Sequence, residues 1–185
     1  MRLFVSVDLD GLGDEIAAVQ ERLAGAEGLR FTDPSQAHVT LKFLGDTDES
    51  RLPALREELA AAVDDADVDP FEATVGGLGV FPHLEYISVV WLGVREGAGD
   101  EELTELHRAI EDRTVAMGFD PEEHEFTPHV TLARMEHAGG KDLVQTAVHE
   151  TDPDVGSLTV SEVRLTESRL EADGPTYETV AAFPL

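Results

Sequence analysis

A chain of 185 residues, 42% of them apolar, can bury one substantial core, either as one domain or as two small interleaved lobes. It has no cysteine, which excludes disulfides, thiolate metal sites, iron–sulfur clusters and a cysteine nucleophile, and leaves any chemistry to His, Ser, Thr, Asp, Glu, Lys or Arg. The net charge of −26, with Lys42 and Lys141 the only lysines, lacks the basic footprint of a nucleic-acid binder and repels polyanions in dilute solution. In molar salt, where the Debye length is about 3 Å, that repulsion is screened, and the composition fits a salt-loving source.

At the N-terminus, MRLFVSVDLDG places Leu3, Val5, Val7 and Leu9 on one face, a strand of period two. It meets Asp8 and Asp10 before any apolar run long enough for a signal peptide or membrane span, which predicts a cytoplasmic protein. Ile16, Val19 and Leu23 then recur at helical spacing, with Gly25 and Gly28 near the helix end. The strand HVTLKFLG starts at His38, and a second helix is predicted from Ser50 to about Val63 with Leu52, Leu55 and Leu59 inward. A strand near Phe71, Ala73 and Val75 follows, then the Gly-rich GGLGVFP (76–82), whose GGLG (76–79) is read as a turn between strands, leading into the strand YISVVWLGV, Tyr86 to Val94. A long helix is predicted from Asp100, as N-cap, through Leu103, Leu106 and Ile110 to Gly118. The letters HVTL then return at His129–Leu132. A short helical segment around Lys141–Val148 and two strands, about Leu158–Leu165 and Tyr177–Phe183, complete the chain.

Each half thus reads strand, helix, HVTL strand, helix, strand. The expected fold is α+β: a bilobal duplicated unit with two antiparallel sheets lining a central cleft and helices packed outside.

Alternation on a strand puts His38 and Thr40 on one face and Val39 and Leu41 on the other, and the second copy repeats this with His129 and Thr131. Val and Leu anchor the strand in the core, leaving His and Thr to face the space between the lobes. Pro128 suits the start of a strand. Two imidazoles with ordinary pKa near 6.5 suit a displacement in which one removes a proton and the other supplies one, each step worth roughly 10²–10⁴-fold. With a hydroxyl beside each ring, the set fits a tetrahedral phosphate better than a planar carbonyl. The bland alternative is a repeated core strand whose histidines are satisfied inside, and the matched duplication argues against it.

With these residues in hand, the chain resembles the 2H phosphoesterases, defined by two His-x-Thr-x motifs, and within them the RNA 2′,3′-cyclic phosphodiesterases, also called 2′-5′ RNA ligases. The resemblance runs through MRLFVSVDL, HVTLKFLG, GLGVFP, VVWLGV, FTPHVTLARM and SRLEADGPTYETVAAFPL. It implies hydrolysis of a terminal 2′,3′-cyclic phosphate to a 2′-phosphate with no metal, no ATP and no other cofactor. It also implies ligation when a 5′-hydroxyl replaces water. Carried over, His38 is the proton donor to the departing 3′ oxygen, His129 the proton acceptor that activates water, and Thr40 and Thr131 hold phosphate oxygens. Arg134 stands where the family often has arginine, but alternation puts it on the face opposite His129, so a bulge or the strand end must redirect it. Lys42 shares the His38 face by spacing and is read either as a phosphate contact or as a strand-edge lysine. The expected partners are RNA termini with a 2′,3′-cyclic phosphate, tRNA fragments among them, met by a monomer away from membranes. The departure is His124-Glu125 before FTPH, where the family commonly has a basic residue, which bears on RNA affinity more than on chemistry. Two other readings stay open: a phosphodiesterase of small cyclic nucleotides, and a non-catalytic RNA-end binding protein.

Other signals are weaker. HEFTPH has its histidines five apart with Pro128 between them, unlike a zinc-protease helix, and GGLG lacks the Lys-Ser/Thr of a P-loop. His83, His107, His137 and His149 have no ligand-like spacing with one another and are expected to be surface or partly buried residues. Trp91 is expected in the core, with base stacking as the other reading.

Overall fold

The computed structural model describes residues 1–185. In chain order it contains β1 (Arg2–Asp8), α1 (Gly13–Arg22), β2 (Leu29–Phe31), β3 (His38–Asp46), α2 (Leu52–Ala66), β4 (Phe71–His83), β5 (Tyr86–Val94), α3 (Asp100–Ala116), β6 (His129–Met135), α4 (Lys141–Glu150), β7 (Asp154–Val160), β8 (Glu162–Glu171) and β9 (Gly174–Pro184). No helix is long and apolar enough to cross a membrane.

The fold is α+β, and every strand pairing is antiparallel. The two expected sheets are the halves of one nine-stranded sheet in the order β7-β4-β5-β6-β3-β1-β8-β9, with β2 on β6. The halves meet at β3 and β6 through a single residue pair, Val39 opposite Val130. The sheet curls. Strands β7 and β8 lie in opposite halves although only Ser161 separates them, and Val7 and Asp8 of β1 line the same small cavity as Leu158 and Val160.

The helices interleave the two halves of the chain. Helices α2 and α3 pack on each other, α3 against β3 and α2 against β9, while α1 lies on β6 and β7 and α4 on β4. Gln20 of α1 makes the exchange explicit: its Nε2 donates to the Thr32 carbonyl at 2.9 Å and to that of Leu132, in the second HVTL strand, at 3.1 Å. Leu55, Leu59, Leu103, Leu106 and Ile110 are completely buried on the inward faces of α2 and α3, each contributing about 1.5–3 kcal/mol through burial.

Four local expectations change. GGLG (76–79) is no turn; it lies within the 13-residue strand β4, with a register break between Gly76 and Leu78 and Gly77 at φ +81°. A Cβ at Gly79 would fall 2.2 Å from the Trp91 ring, so glycine there is room for an indole on the neighbouring strand. Asp100 is not the N-cap: Gly99 caps α3 at φ +105°, and Asp100, its first residue, accepts from the Gly97 amide at 2.8 Å. The strand expected over 158–165 is the junction of β7 and β8. Strand β2 was not anticipated, because three residues carry too little periodicity. β1 is buried at positions 3–7 on both faces, being an interior strand, and Ser6 bonds the Thr166 hydroxyl at 3.3 Å there.

Candidate active site

The site grows from two matching β-bulges. In β3, Ser6 pairs with Thr40 and Val5 with Lys42, so Leu41 is the extra residue. Leu41 and Lys42 both turn inward, and the next side chain, Phe43, emerges 59% exposed on the His38 face. In β6, Trp91 pairs with Thr131 and Val90 with Ala133, so Leu132 is the extra residue, Leu132 and Ala133 are both buried, and Arg134 emerges on the face of His129 and Thr131. The bulge that alternation lacked is therefore present. Arg134 takes no part in the ion pairs that engage Arg95, Arg113, Arg164 and Arg169, and its charge acts on both His129 and Tyr177.

The same device overturns the expectation for Lys42. Its ammonium is fully buried, 2.7 Å from Glu111 Oε2 and 2.6 Å from the Asp120 carbonyl, and does not reach the His38 face. Burial pushes the Glu111 carboxyl up, but hydrogen bonds from Lys42 and the Glu122 amide outweigh it and hold the carboxyl below its ordinary pKa.

Both imidazoles are anchored alike. His38 Nδ1 lies 2.9 Å from the Gln36 carbonyl and His129 Nδ1 2.7 Å from the Thr127 carbonyl, each two residues upstream. A carbonyl only accepts, so each Nδ1 carries the hydrogen and each Nε2 is left for chemistry. His38 packs on Phe4 (5.0 Å between centroids) and on Tyr177 (5.1 Å), while His129 packs on Phe81 (4.9 Å) and Trp91 (5.9 Å).

Burial lowers both histidine pKa values, and the remaining influences differ. For His38 the bond to Gln36 and the negative charge of Asp8 pull upward; for His129 the Thr127 bond pulls upward, but the charges of His38 and Arg134 push further down. Val39 pairs antiparallel with Val130, which brings His38 toward Thr131 and His129 toward Thr40 on one face.

Among the remaining histidines, His83, His137 and His149 are exposed as expected, but His107 is buried at 8% exposure, with Nδ1 2.7 Å from the Leu41 carbonyl. Trp91 is half-buried against His129 rather than in the core. His124 and Glu125, which stand where the family commonly has a basic residue, are exposed. Sequence reasoning missed Phe4, Phe81 and Tyr177 as ring neighbours and Asp8 as a charge acting on His38. They come from distant parts of the chain, and no spacing relates them to either motif.

This geometry can be set beside known proteins. Residues 10–171 match the model of the 2′-5′ RNA ligase superfamily. The chain is 37% identical over its whole length to a Methanothermobacter thermautotrophicus protein called RNA 2′,3′-cyclic phosphodiesterase, covering 99% of it. It is 31% identical to an Archaeoglobus fulgidus protein of the same name over 99% of both chains. Among solved structures, a Thermus thermophilus protein superposes with TM-score 0.79 at 26% identity, covering 100% of this chain and 98% of that one. Escherichia coli LigT complexed with 3′-AMP superposes with TM-score 0.79 at 25% identity, covering 100% and 97%. The resemblance first carried by the two HVTL strands holds over the full length, and the chain belongs to the 2′-5′ RNA ligase superfamily of 2H phosphoesterases.

Proposed function

We propose that this protein hydrolyses the 2′,3′-cyclic phosphate at an RNA end, with His38 as acid and His129 as base. The observation that carries the reading is the matched anchoring of the two rings, which leaves two Nε2 atoms on one face, beside two threonines and an arginine that no carboxylate occupies.

In the reaction, His129 Nε2 takes a proton from water as its oxygen attacks phosphorus. The bond from phosphorus to the 3′ oxygen breaks, and His38 Nε2 gives that oxygen its proton. The products are a 2′-phosphate and a free 3′-hydroxyl. The two proton transfers leave His38 neutral and His129 charged, and proton exchange with solvent resets them. Thr40 and Thr131 donate to the non-bridging oxygens, and Arg134 offsets the charge gathering there. The assignment of acid and base has a local electrostatic reason. Burial lowers both pKa values; on top of it Asp8 favours a charged His38, whereas Arg134 and His38 disfavour a charged His129, so the neighbouring charges act in the direction this assignment needs. With a 5′-hydroxyl in place of water, the same steps form a 2′-5′ linkage. The names of the M. thermautotrophicus and A. fulgidus relatives support this substrate class.

The test is incubation of an RNA bearing a 2′,3′-cyclic end, in EDTA and high KCl, with wild type, His38→Ala and His129→Ala, and a 2′,3′-cyclic mononucleotide in parallel. The expected result is turnover of the RNA by wild type alone. Full activity in either folded variant defeats the mechanism, and turnover of the mononucleotide alone moves the substrate class to small nucleotides.

A further inference from the structure

The seam between β3 and β6 leaves a geometric question. One residue pair, Val39 with Val130, joins the strands that carry the two histidines, and a single pair cannot fix both the spacing and the tilt of two rings. His38 has local support: it follows a 3₁₀ turn, Pro34–Gln36, whose cap Asp33 accepts from the Ser35 amide at 2.9 Å and the Gln36 side chain at 3.1 Å. The segment before His129 has no such turn: apart from the Thr127 carbonyl that holds the ring, residues 119–128 form no helix or strand.

One side chain touches both the first motif and the segment that leads to the second. His107, buried on α3, donates from Nδ1 to the carbonyl of Leu41, the bulge residue of the first motif, at 2.7 Å. The same ring lies flat on Phe126, with centroids 4.2 Å apart and planes 8° apart, three residues before His129. One helical turn further along α3, Glu111 holds the same two segments together. Its Oε2 takes the Lys42 ammonium at 2.7 Å, its Oε1 accepts from the Glu122 amide at 2.8 Å, and Lys42 also donates to the Asp120 carbonyl at 2.6 Å. The second motif has Ala133 where the first has Lys42, so the arrangement is one-sided: it serves the segment leading to His129 and no other. A fully buried ammonium is costly unless paired, and a buried ion pair is weak evidence of a stabilising role, so its place between these two segments points to a geometric one.

We infer that His107 and Lys42 are positioning residues, which tie residues 120–126 to the first motif and so set the Thr127 carbonyl that aims His129 at the reacting phosphate. The inference rests on the reading of His129 as the base, but its first readout needs no turnover.

The test uses the full chain in high KCl and the variants His107→Leu, which keeps apolar bulk but loses the donor and the flat ring, and His107→Asn, which keeps a donor at the Nδ1 position. The ring ¹⁵N spectrum of His129 reports the tautomer. In wild type Nδ1 carries the hydrogen; in His107→Leu the Nδ1–H tautomer of His129 should give way to a mixture while the His38 signals stay put, and His107→Asn should recover part of it. On an RNA with a 2′,3′-cyclic end, kcat should fall about 10- to 100-fold with KM within about threefold, the size expected of a displacement near 1 Å. Should His107→Leu fail to fold, Phe126→Leu removes the stacked ring alone and is read the same way. A folded variant with unchanged His129 signals and wild-type kcat overturns the inference, and so does equal disturbance of His38 and His129. If wild type turns over no cyclic phosphate at all, the functional reading falls, while the His129 spectrum still decides whether the latch exists.

Discussion

Val39 lies opposite Val130, and no other pair of residues joins β3 to β6. Both side chains are fully buried, so the seam is pinned from behind by the core while its front opens between the two halves of the sheet. The antiparallel sense of the pair sets each histidine near the other motif's threonine, giving a near-twofold nest for a tetrahedral group. The first prediction follows from it. His38→Ala and His129→Ala should each lower kcat by about 10²–10⁴-fold with folding retained, and the double variant should be little worse than either single one, since the two rings act in one step. Single-turnover kinetics with circular dichroism checks this, and multiplicative losses would speak against a shared step.

Both histidines titrate below their ordinary 6.5 because burial disfavours the charged ring. With His129 as base and His38 as acid, activity should fall at low pH as His129 gains a proton and at high pH as His38 loses one. The kcat/KM profile should therefore be a bell with its maximum on the acid side of pH 6.5. Asp8→Asn removes a charge that raises the His38 pKa, so the alkaline limb should move to lower pH. Arg134→Gln removes a charge that lowers the His129 pKa, so the acid limb should move to higher pH. Profiles at constant KCl read both shifts, and movement of the opposite limb would reverse the acid and base assignments.

Lys42→Ala leaves Glu111 Oε2 and the Asp120 carbonyl without the ammonium that donates to them. Removing one member of a buried pair costs about 3–5 kcal/mol, and the partial exposure of Glu111, 19% for its side chain, lets water recover some of this, so a loss of about 2–3 kcal/mol is expected. Lys42→Met fills the volume and should lose less. Chemical denaturation at fixed KCl compares them, and equal stability of Lys42→Ala and wild type would contradict the buried pairing.

A methyl group at position 79 collides with the indole of Trp91, which stands against His129. Gly79→Ala should cost about 1–3 kcal/mol by overpacking and shift the emission of Trp91, the only tryptophan in the chain. It should also slow turnover. An unchanged emission spectrum would mean that the ring has not moved.

With a net charge of −26, encounter with RNA is repulsive at long range. Raising KCl from about 0.1 to 1 M shortens the Debye length from about 10 to 3 Å. For an oligonucleotide with a cyclic end, kcat/KM should therefore rise with KCl, opposite to the usual fall for basic RNA-binding proteins, and rise less for a cyclic mononucleotide. A falling slope for the oligonucleotide would mean that a local basic surface governs the encounter.

Much of the site was legible in the chain because its signal is local and repeated. HVTL appears twice, and two-residue alternation alone separates His38 and Thr40 from Val39, and His129 and Thr131 from Val130. Lys42 and Arg134 fall just beyond the reach of that rule. One bulge in each strand reverses the faces after Leu41 and Leu132, so the lysine goes inward and the arginine outward. A bulge is set by the partner strand's register, which no spacing within the motif encodes.

Periodicity, the duplicated motif and the absence of cysteine are properties of neighbouring residues or of composition, and they sufficed for the α+β class and to single out His38 and His129 as candidates. Which rings desolvate those histidines, which charges shift each one's proton affinity, and how His107 of α3 links the first motif to Phe126 before the second were decided only when strands and helices from both halves of the chain folded across one another. Those contacts join residues up to about 140 positions apart, as with His38 and Tyr177, and contacts at such separation leave no periodic trace along the chain.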